Sequence, residues 1–195
     1  MGLPMGKLIV ATNQNDILTR TINSGEYKLS EVRSTLTPSM DIQISSNFER
    51  LLFDISERSE KKVINLMNDL QNQGSFSLEE KAVNIIKDIF DAEAIDDDET
   101  IRIIRDFFNN FGFILDPHTA TAVGASYKVK NSLSTVVLGT AHPYKFADTV
   151  KIAINRDVST PNQIAELPKK KEKFDILDNN LQKVKNYILE KIQWK

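Results

Sequence analysis

The apolar residues of this chain fall into two kinds of pattern. Two short runs are continuously apolar and rich in β-branched residues, Leu8–Thr12 (LIVAT) and Ser134–Leu138 (STVVL). They read as strands buried on both faces. Most of the remainder repeats at three and four residues, which predicts helices. Asp16 is placed to cap the first, which runs to about Asn23 and stops at Ser24-Gly25. Phe48, Leu51, Leu52 and Ile55 predict a helix over 47–57, and Val63, Ile64, Leu66, Met67 and Leu70 another over 60–72, ended by Gly74. Ser77 with Glu80 reads as a capping box for a helix that turns Val83, Ile86, Ile89 and Phe90 inward. Ile101, Ile104, Phe107 and Phe108 define the next, over 98–110, with Gly112 just beyond it.

Punctuation by proline organises the rest. Asp116-Pro117 opens a helix that continues through Thr119–Lys128, and Pro143 opens another that runs to Ile154. Residues 26–46 show no helical period and carry Pro38, so they read as loop, although Asp41–Ser45 (DIQIS) alternates as a third strand would. Residues 155–168 are a second loop, limited by Pro161 and Pro168. The tail from Lys169 begins KKKEK and then sets Phe174, Leu177, Leu181, Val184, Ile188 and Ile192 at helical spacing, an amphipathic helix of core-facing type. The chain thus divides into a main portion, 1–154, and a linker with a terminal helix, 155–195.

The expected fold class is α/β, mostly helical with few buried strands. Such strands belong in a mostly parallel sheet covered by helices on both faces. Two of them do not make a stable sheet, and their edges would leave backbone groups unpaired. The pattern therefore predicts part of a larger three-layer α/β/α protein; a small α+β domain using DIQIS is the alternative.

Composition narrows the function. A net charge of −2 gives no field suited to nucleic acid or anionic lipid. No apolar run approaches the roughly 20 residues that span a bilayer, and the first residues are too weakly apolar for a signal peptide. With no cysteine, disulfides and thiolate catalysis are excluded. A cytoplasmic protein is expected, with neither nucleic acid nor membrane as partner.

Chemistry-bearing motifs are few. There is no glycine-rich nucleotide loop, no G-x-S-x-G and no histidine pair at ligand spacing. The two histidines, His118 and His142, lie beside prolines at helix starts and read as capping or core-edge residues. The acidic run Asp96–Glu99 sits where a helix dipole favours negative charge and reads as such, not as a metal site. GTAHP (Gly139–Pro143) has the best position: it follows a buried strand and precedes a helix, where open α/β sheets bind ligands. ATNQND (Ala11–Asp16) has the same geometry. From spacing alone, the favoured reading of both is a strand-to-helix turn that satisfies local backbone groups, through Thr140 in GTAHP.

Four segments, in this order, resemble threonine synthase: LIVATNQNDIL (Leu8–Leu18), TLTPSMDIQISSNFERLLFD (Thr35–Asp54), DPHTATAVGA (Asp116–Ala125) and VVLGTAHPYKF (Val136–Phe146). The second and fourth mix polar, turn-forming and aromatic residues in an order no periodicity requires. The resemblance covers nearly the whole chain, most firmly residues 7–54 and 113–153, and falls in the second half of the family's proteins. It implies a portion of the fold type II pyridoxal-phosphate architecture, with pyridoxal 5'-phosphate as the family cofactor. The implied substrate is O-phosphohomoserine, from which phosphate is eliminated and to which water is added, giving threonine. In that family the strand ending in the TAHP-like motif brings a threonine to the cofactor's pyridine nitrogen, and that position here is Thr140. A neutral hydroxyl there bonds the ring nitrogen without fully protonating it, which tunes the electron sink. The resemblance assigns no individual role within Ser39–Arg50.

The family's Schiff-base lysine and its glycine- and asparagine-rich phosphate loop lie upstream of the segments matched here, so no lysine of this chain inherits the catalytic role. Met1 aligns with the family's interior, in a helix-to-strand connection. Three readings follow. The preferred one is a C-terminal remnant of threonine synthase that is inactive alone and does not hold the cofactor stably. The second is half of a split enzyme, completed by a separately encoded N-terminal half. The third is a repurposed interaction module using its sheet edge and final helix, which no motif supports.

Overall fold

The apolar run Leu8–Thr12 forms the first strand, β1. Its partner is not Ser134–Leu138 but Phe90–Ala94 (β4), aligned parallel from Leu8 opposite Phe90 to Thr12 opposite Ala94. The computed structural model that gives this architecture describes residues 4–129 and 134–192. Phe90 was expected to end a helix, and Ala and Glu in FDAEA favour one, but the ladder with β1 overrides that local preference. Ser134–Leu138 forms no strand and has no strand partner among the described residues. It keeps a strand's alternation even so: Val137 packs inward, while Val136 and Leu138 are 85% and 74% exposed.

Between β1 and β4 the chain makes α1 (Ile17–Ser24), β2 (Glu26–Lys28), α2 (Phe48–Ile55), α3 (Glu60–Gln73), β3 (Ser75–Ser77) and α4 (Glu80–Ile89). Residues 26–28, expected as loop, pair antiparallel with β3 because Tyr27 and Phe76 face each other and both are buried. Their rings stack at 4.8 Å, and Phe48 stacks on Tyr27 at 5.6 Å. Ser77 is thus a strand residue and not the expected cap of α4, whose N-cap position is Glu79. Residues 41–45 form no strand; the nearest regular structure is a short 3-10 turn at Pro38–Met40.

After β4 come α5 (Asp97–Phe111), α6 (Pro117–Lys128) and α7 (Ala147–Ile154). The acidic run caps α5 with a capping box: Asp96 accepts from the Glu99 amide and Glu99 from the Asp96 amide. The helix expected from Pro143 starts as a 3-10 turn, Pro143–Phe146, and becomes α-helical only at Ala147.

One apolar cluster gathers Ile17, Ile22, Tyr27, Phe48, Leu52, Phe76, Ile86 and Ala92 from α1 to β4. A second gathers Ile104, Leu115, Ala120, Val123, Val150, Ala153 and Ile154 from α5 to α7. Both α1 and α6 pack on the two parallel strands. Val10 joins the first cluster and Thr12 bonds Thr19 of α1 at 2.7 Å, so strand alternation leaves Ile9 and Ala11 for α6. Helices flank a small parallel sheet, the α/β arrangement expected.

The chain separates into two units, Met1–Ser159 and Thr160–Lys195. In the second unit the only α-helix among the described residues is α8 (Leu181–Lys191), shorter than the pattern from Lys169 predicts. Asp175, Asp178, Asn179 and Asn180 favour turns over helix, and Asn180 instead takes the N-cap, accepting from the Lys183 amide at 3.0 Å. Phe174 and Leu177 therefore fall outside the helix, and no residue of α8 is buried.

Two expectations follow. Gly25 closes α1 at φ +82°, and a Cβ there would lie 2.5 Å from Val83 Cγ2. Gly112 closes α5 at φ +67° with nothing within 4 Å. In urea unfolding, Gly112→Ala should cost about 1–2 kcal/mol from backbone strain alone, and Gly25→Ala about 1–3 kcal/mol more from the clash. Burial pushes the Tyr27 phenol pKa up from its ordinary 10.0; the Ser45 amide opposes this and Glu49 adds to it. The neutral form is the one the fold prefers, so this stabilisation is complete below pH 10.0 and is lost as pH rises past it. Urea midpoints on either side of that pH should diverge less in Tyr27→Phe than in the native chain.

Candidate functional site

At the carboxyl end of β1 the chain turns through Asn13-Gln14-Asn15, with Asn13 and Asn15 only 1% and 2% exposed. An amide side chain so buried must find protein partners. Locally, Asn13 Oδ1 accepts from the Asn15 amide at 2.8 Å, the turn expected from the sequence. The remaining bonds reach across the fold. Asn13 Nδ2, with two hydrogens, lies 2.8 Å from both Thr35 Oγ1 and Thr37 Oγ1 and 2.7 Å from Asp41 Oδ1. Asn15 Nδ2 donates to Asp41 Oδ1 at 3.0 Å and to the Arg33 carbonyl at 2.9 Å, and Asn15 Oδ1 accepts from the Arg33 amide at 2.8 Å. Asp41 completes the knot by accepting from Thr35 Oγ1 at 2.7 Å and the Thr35 amide at 3.0 Å.

This knot holds residues 33–41 against the end of the strand, and two further bonds tie the same loop to helix starts. The Leu36 amide donates to Asp97 Oδ1 at 3.1 Å at the head of α5. The Ser39 amide donates to His118 Nε2 at 3.4 Å at the head of α6. His118 is buried, its ring 4.6 Å from that of Phe146, and its Nδ1 lies 3.3 Å from Asp116 Oδ1. Because Ser39 N–H only donates, Nε2 is the acceptor and Nδ1 carries the hydrogen given to Asp116.

Asp116, 1% exposed, is the N-cap of α6 and accepts from the His118 and Thr119 amides. Its other oxygen accepts from the Thr119 hydroxyl. Thr119 Oγ1 in turn accepts from the Thr140 amide at 3.3 Å. Thr140 is exposed, and its hydroxyl has no hydrogen-bond partner among the described residues. His142, exposed, caps its own turn by accepting from the Tyr144 amide at 3.1 Å. Arg50 lies exposed on α2. Among the described residues no group of three or more His, Asp or Glu could hold a metal ion. A groove of about 430 Å³ between α5 and α6, lined by Ile103, Phe107, Phe111 and Tyr127, includes none of the residues of this network.

The four segments singled out in the sequence are therefore joined by hydrogen bonds that run from the end of β1 through the head of α6 to the amide of Thr140, which is itself exposed. Residues 119–188 match the family model described as threonine synthase, C-terminal. The threonine synthase of Pseudomonas aeruginosa is 41% identical over 191 residues, covering 96% of this chain and 41% of that protein. In sequence and in fold, the chain corresponds to the C-terminal part of threonine synthase. The fold match is to threonine synthase of Brucella melitensis, crystallised with bound PLP, at a TM-score of 0.87 with 44% identity over 97% of this chain and 41% of that one. Yeast threonine synthase matches at 0.82 with 35% identity, again over 97% of this chain and 43% of that one. The chain thus spans about two-fifths of the length of the threonine synthases it matches. No helix among the described residues is long and apolar enough to cross a membrane.

Asn13, Asn15, Asp41 and Asp116 were not singled out from the sequence as site residues. The available signal was an Asn-x-Asn turn directly after a buried strand, polar groups that burial obliges to bond. Asn13→Ala should therefore cost about 1–3 kcal/mol, because the two hydrogens that Asn13 Nδ2 shares among Thr35, Thr37 and Asp41 are lost. Limited proteolysis should then cut within residues 33–41 faster than in the native chain, while Ser34→Ala, exposed in the same loop, should leave cleavage unchanged.

Proposed function

We propose that these residues form the pyridine-nitrogen side of a threonine synthase catalytic site. The carrying observation is a chain of hydrogen bonds that links segments 8–18, 35–41, 116–119 and 139–142 in turn and ends on the amide of Thr140, an exposed threonine whose hydroxyl has no partner among the described residues. When bound, pyridoxal 5'-phosphate supplies the electron sink for eliminating phosphate from O-phosphohomoserine and adding water to give threonine. The residues present fit one part of that cofactor. Thr140 would hold the ring nitrogen through its hydroxyl and keep its own proton, so that the bound ring would act as a moderated sink. Thr119, at the buried first turn of α6, holds the Thr140 amide and would keep that contact in place.

A polypeptide of these 195 residues does not complete the reaction, because the lysine that anchors the cofactor and the loop that binds its phosphate belong to the family's N-terminal part. The hydrogen-bond network from Asn13 to Thr140 also supports a second reading. In it the chain becomes active when an N-terminal half, supplied separately, pairs along β1 and the Ser134–Leu138 segment. The partner in that case is the family's own N-terminal half.

Growth of a threonine auxotroph tests both. This chain alone should not restore growth, and co-expression with the N-terminal half of a threonine synthase should do so under the second reading. Thr140→Val should then reduce growth sharply, whereas Thr149→Val, on α7, should matter much less. Two halves that associate but give no threonine would leave the inactive fragment.

A further inference from the structure

We propose that Asp116, His118 and Thr119 act together as a positioning clamp that sets the Thr140 turn and the Ser39 loop at a fixed distance from one another. This deepens the site reading above and rests on it. The three residues sit at the first turn of α6, bond one another, and make one bond to each of two other segments, at Ser39 and Thr140. Asp116 is the buried hub, its two carboxylate oxygens divided between two arms. One arm runs from Asp116 Oδ1 through the His118 ring to the Ser39 amide. The other runs from Asp116 Oδ2 through the Thr119 hydroxyl to the Thr140 amide.

The polarity of each arm is fixed by its ends. Asp116 only accepts, and the two backbone amides only donate, so His118 and Thr119 must each donate to the carboxylate and accept from the amide. No other orientation satisfies both ends. The His118 ring also packs on Phe146, four residues past His142, so the same residue touches the chain on both sides of the site. Pro117 and residues 118–121 are all buried, which gives the clamp a base that does not move with either loop. Thr140's side chain is left out of the network, and the clamp holds its backbone instead. The role assigned is positioning: none of the three contacts the reacting atoms.

Amide hydrogen exchange on the full 195-residue chain tests the arms separately. Thr119→Val, which keeps the shape and removes the hydroxyl, should speed exchange of the Thr140 amide at least tenfold and leave Ser39 unchanged. His118→Phe, which keeps the ring against Phe146, should do the reverse. Thr119→Ser should restore native exchange at Thr140. Equal exchange in Thr119→Val and the native chain, or failure of Thr119→Ser to restore it, overturns the proposal. A measurement on the native chain needs no variant: ¹⁵N shifts should show His118 protonated at Nδ1 and bare at Nε2, and the opposite tautomer overturns the His118 arm.

The functional consequence is read in the chain completed by a threonine synthase N-terminal half. Thr119→Val should lower kcat by about tenfold to a hundredfold, as misplacement of a contact does, with KM for O-phosphohomoserine little changed, and should shift cofactor fluorescence; Thr119→Ser should recover both. If exchange responds but kcat and fluorescence do not, while Thr140→Val impairs both, the clamp is structural only and the proposal fails. If Thr140→Val is itself silent, the reading of the site fails instead.

Discussion

The arrangement of the loops at the end of β1 depends on two asparagines that burial removes from bulk solvent. Asn13 and Asn15 follow directly on a buried strand, and an orphaned polar group in such a place costs about 1–3 kcal/mol. Their partners come from Thr35, Thr37, Asp41 and Arg33, a loop with almost no apolar anchor of its own. The loop therefore takes its shape from the need to satisfy the strand end. Once it is shaped so, Leu36 and Ser39 present their amides to the heads of α5 and α6. One local requirement propagates into the juxtaposition of four segments far apart in sequence.

A second constraint acts on the strands. β1 and β4 satisfy each other along one edge each, and parallel strands of this kind are ordinarily covered on both faces and paired on both sides. The Ser134–Leu138 segment shows what happens to a strand sequence without a neighbour. Its side chains alternate as in a sheet, yet it forms no ladder with any described residue, and Val136 and Leu138 stand exposed. Apolar groups so exposed are an unfavourable surface for an independent domain and a suitable one for further strands. That is the physical content of the proposal that an N-terminal half completes the site.

How far the sequence foretold this follows from which forces are local. β1, the bodies of α1, α2, α3, α5 and α6, and the left-handed glycines that end α1, α3 and α5 were all legible, because periodicity and caps are local signals. β4 was not, since Phe90–Ala94 continues a helical pattern and becomes a strand only through a partner 82 positions away, Leu8 opposite Phe90. The β2–β3 pair was missed for the same reason: three residues on each side carry no period, and the decisive term is Tyr27 stacking on Phe76. At the site, the Thr140 turn was visible from its position after an apolar run. The network that holds it was not, because hydrogen bonds between Thr119 and Thr140 or His118 and Ser39 leave no pattern in sequence.

The network also explains why the motif-like segments obey no periodicity. Thr35, Thr37, Asp41, Asp116, His118 and Thr119 spend their polar atoms on one another and on backbone amides. Their order along the chain answers to a three-dimensional hydrogen-bond pattern, which neither a 3.6-residue nor a 2-residue repeat can encode. A site built this way separates two tasks. Many residues fix geometry and are used up in doing so, and a small remainder keeps a polar atom for a ligand. Thr140 meets the second condition: its amide is engaged, and its hydroxyl has no partner among the described residues. A substitution among the holders should then act through placement, and one at Thr140 through the contact itself, so the two classes are separable by whether the backbone amides move.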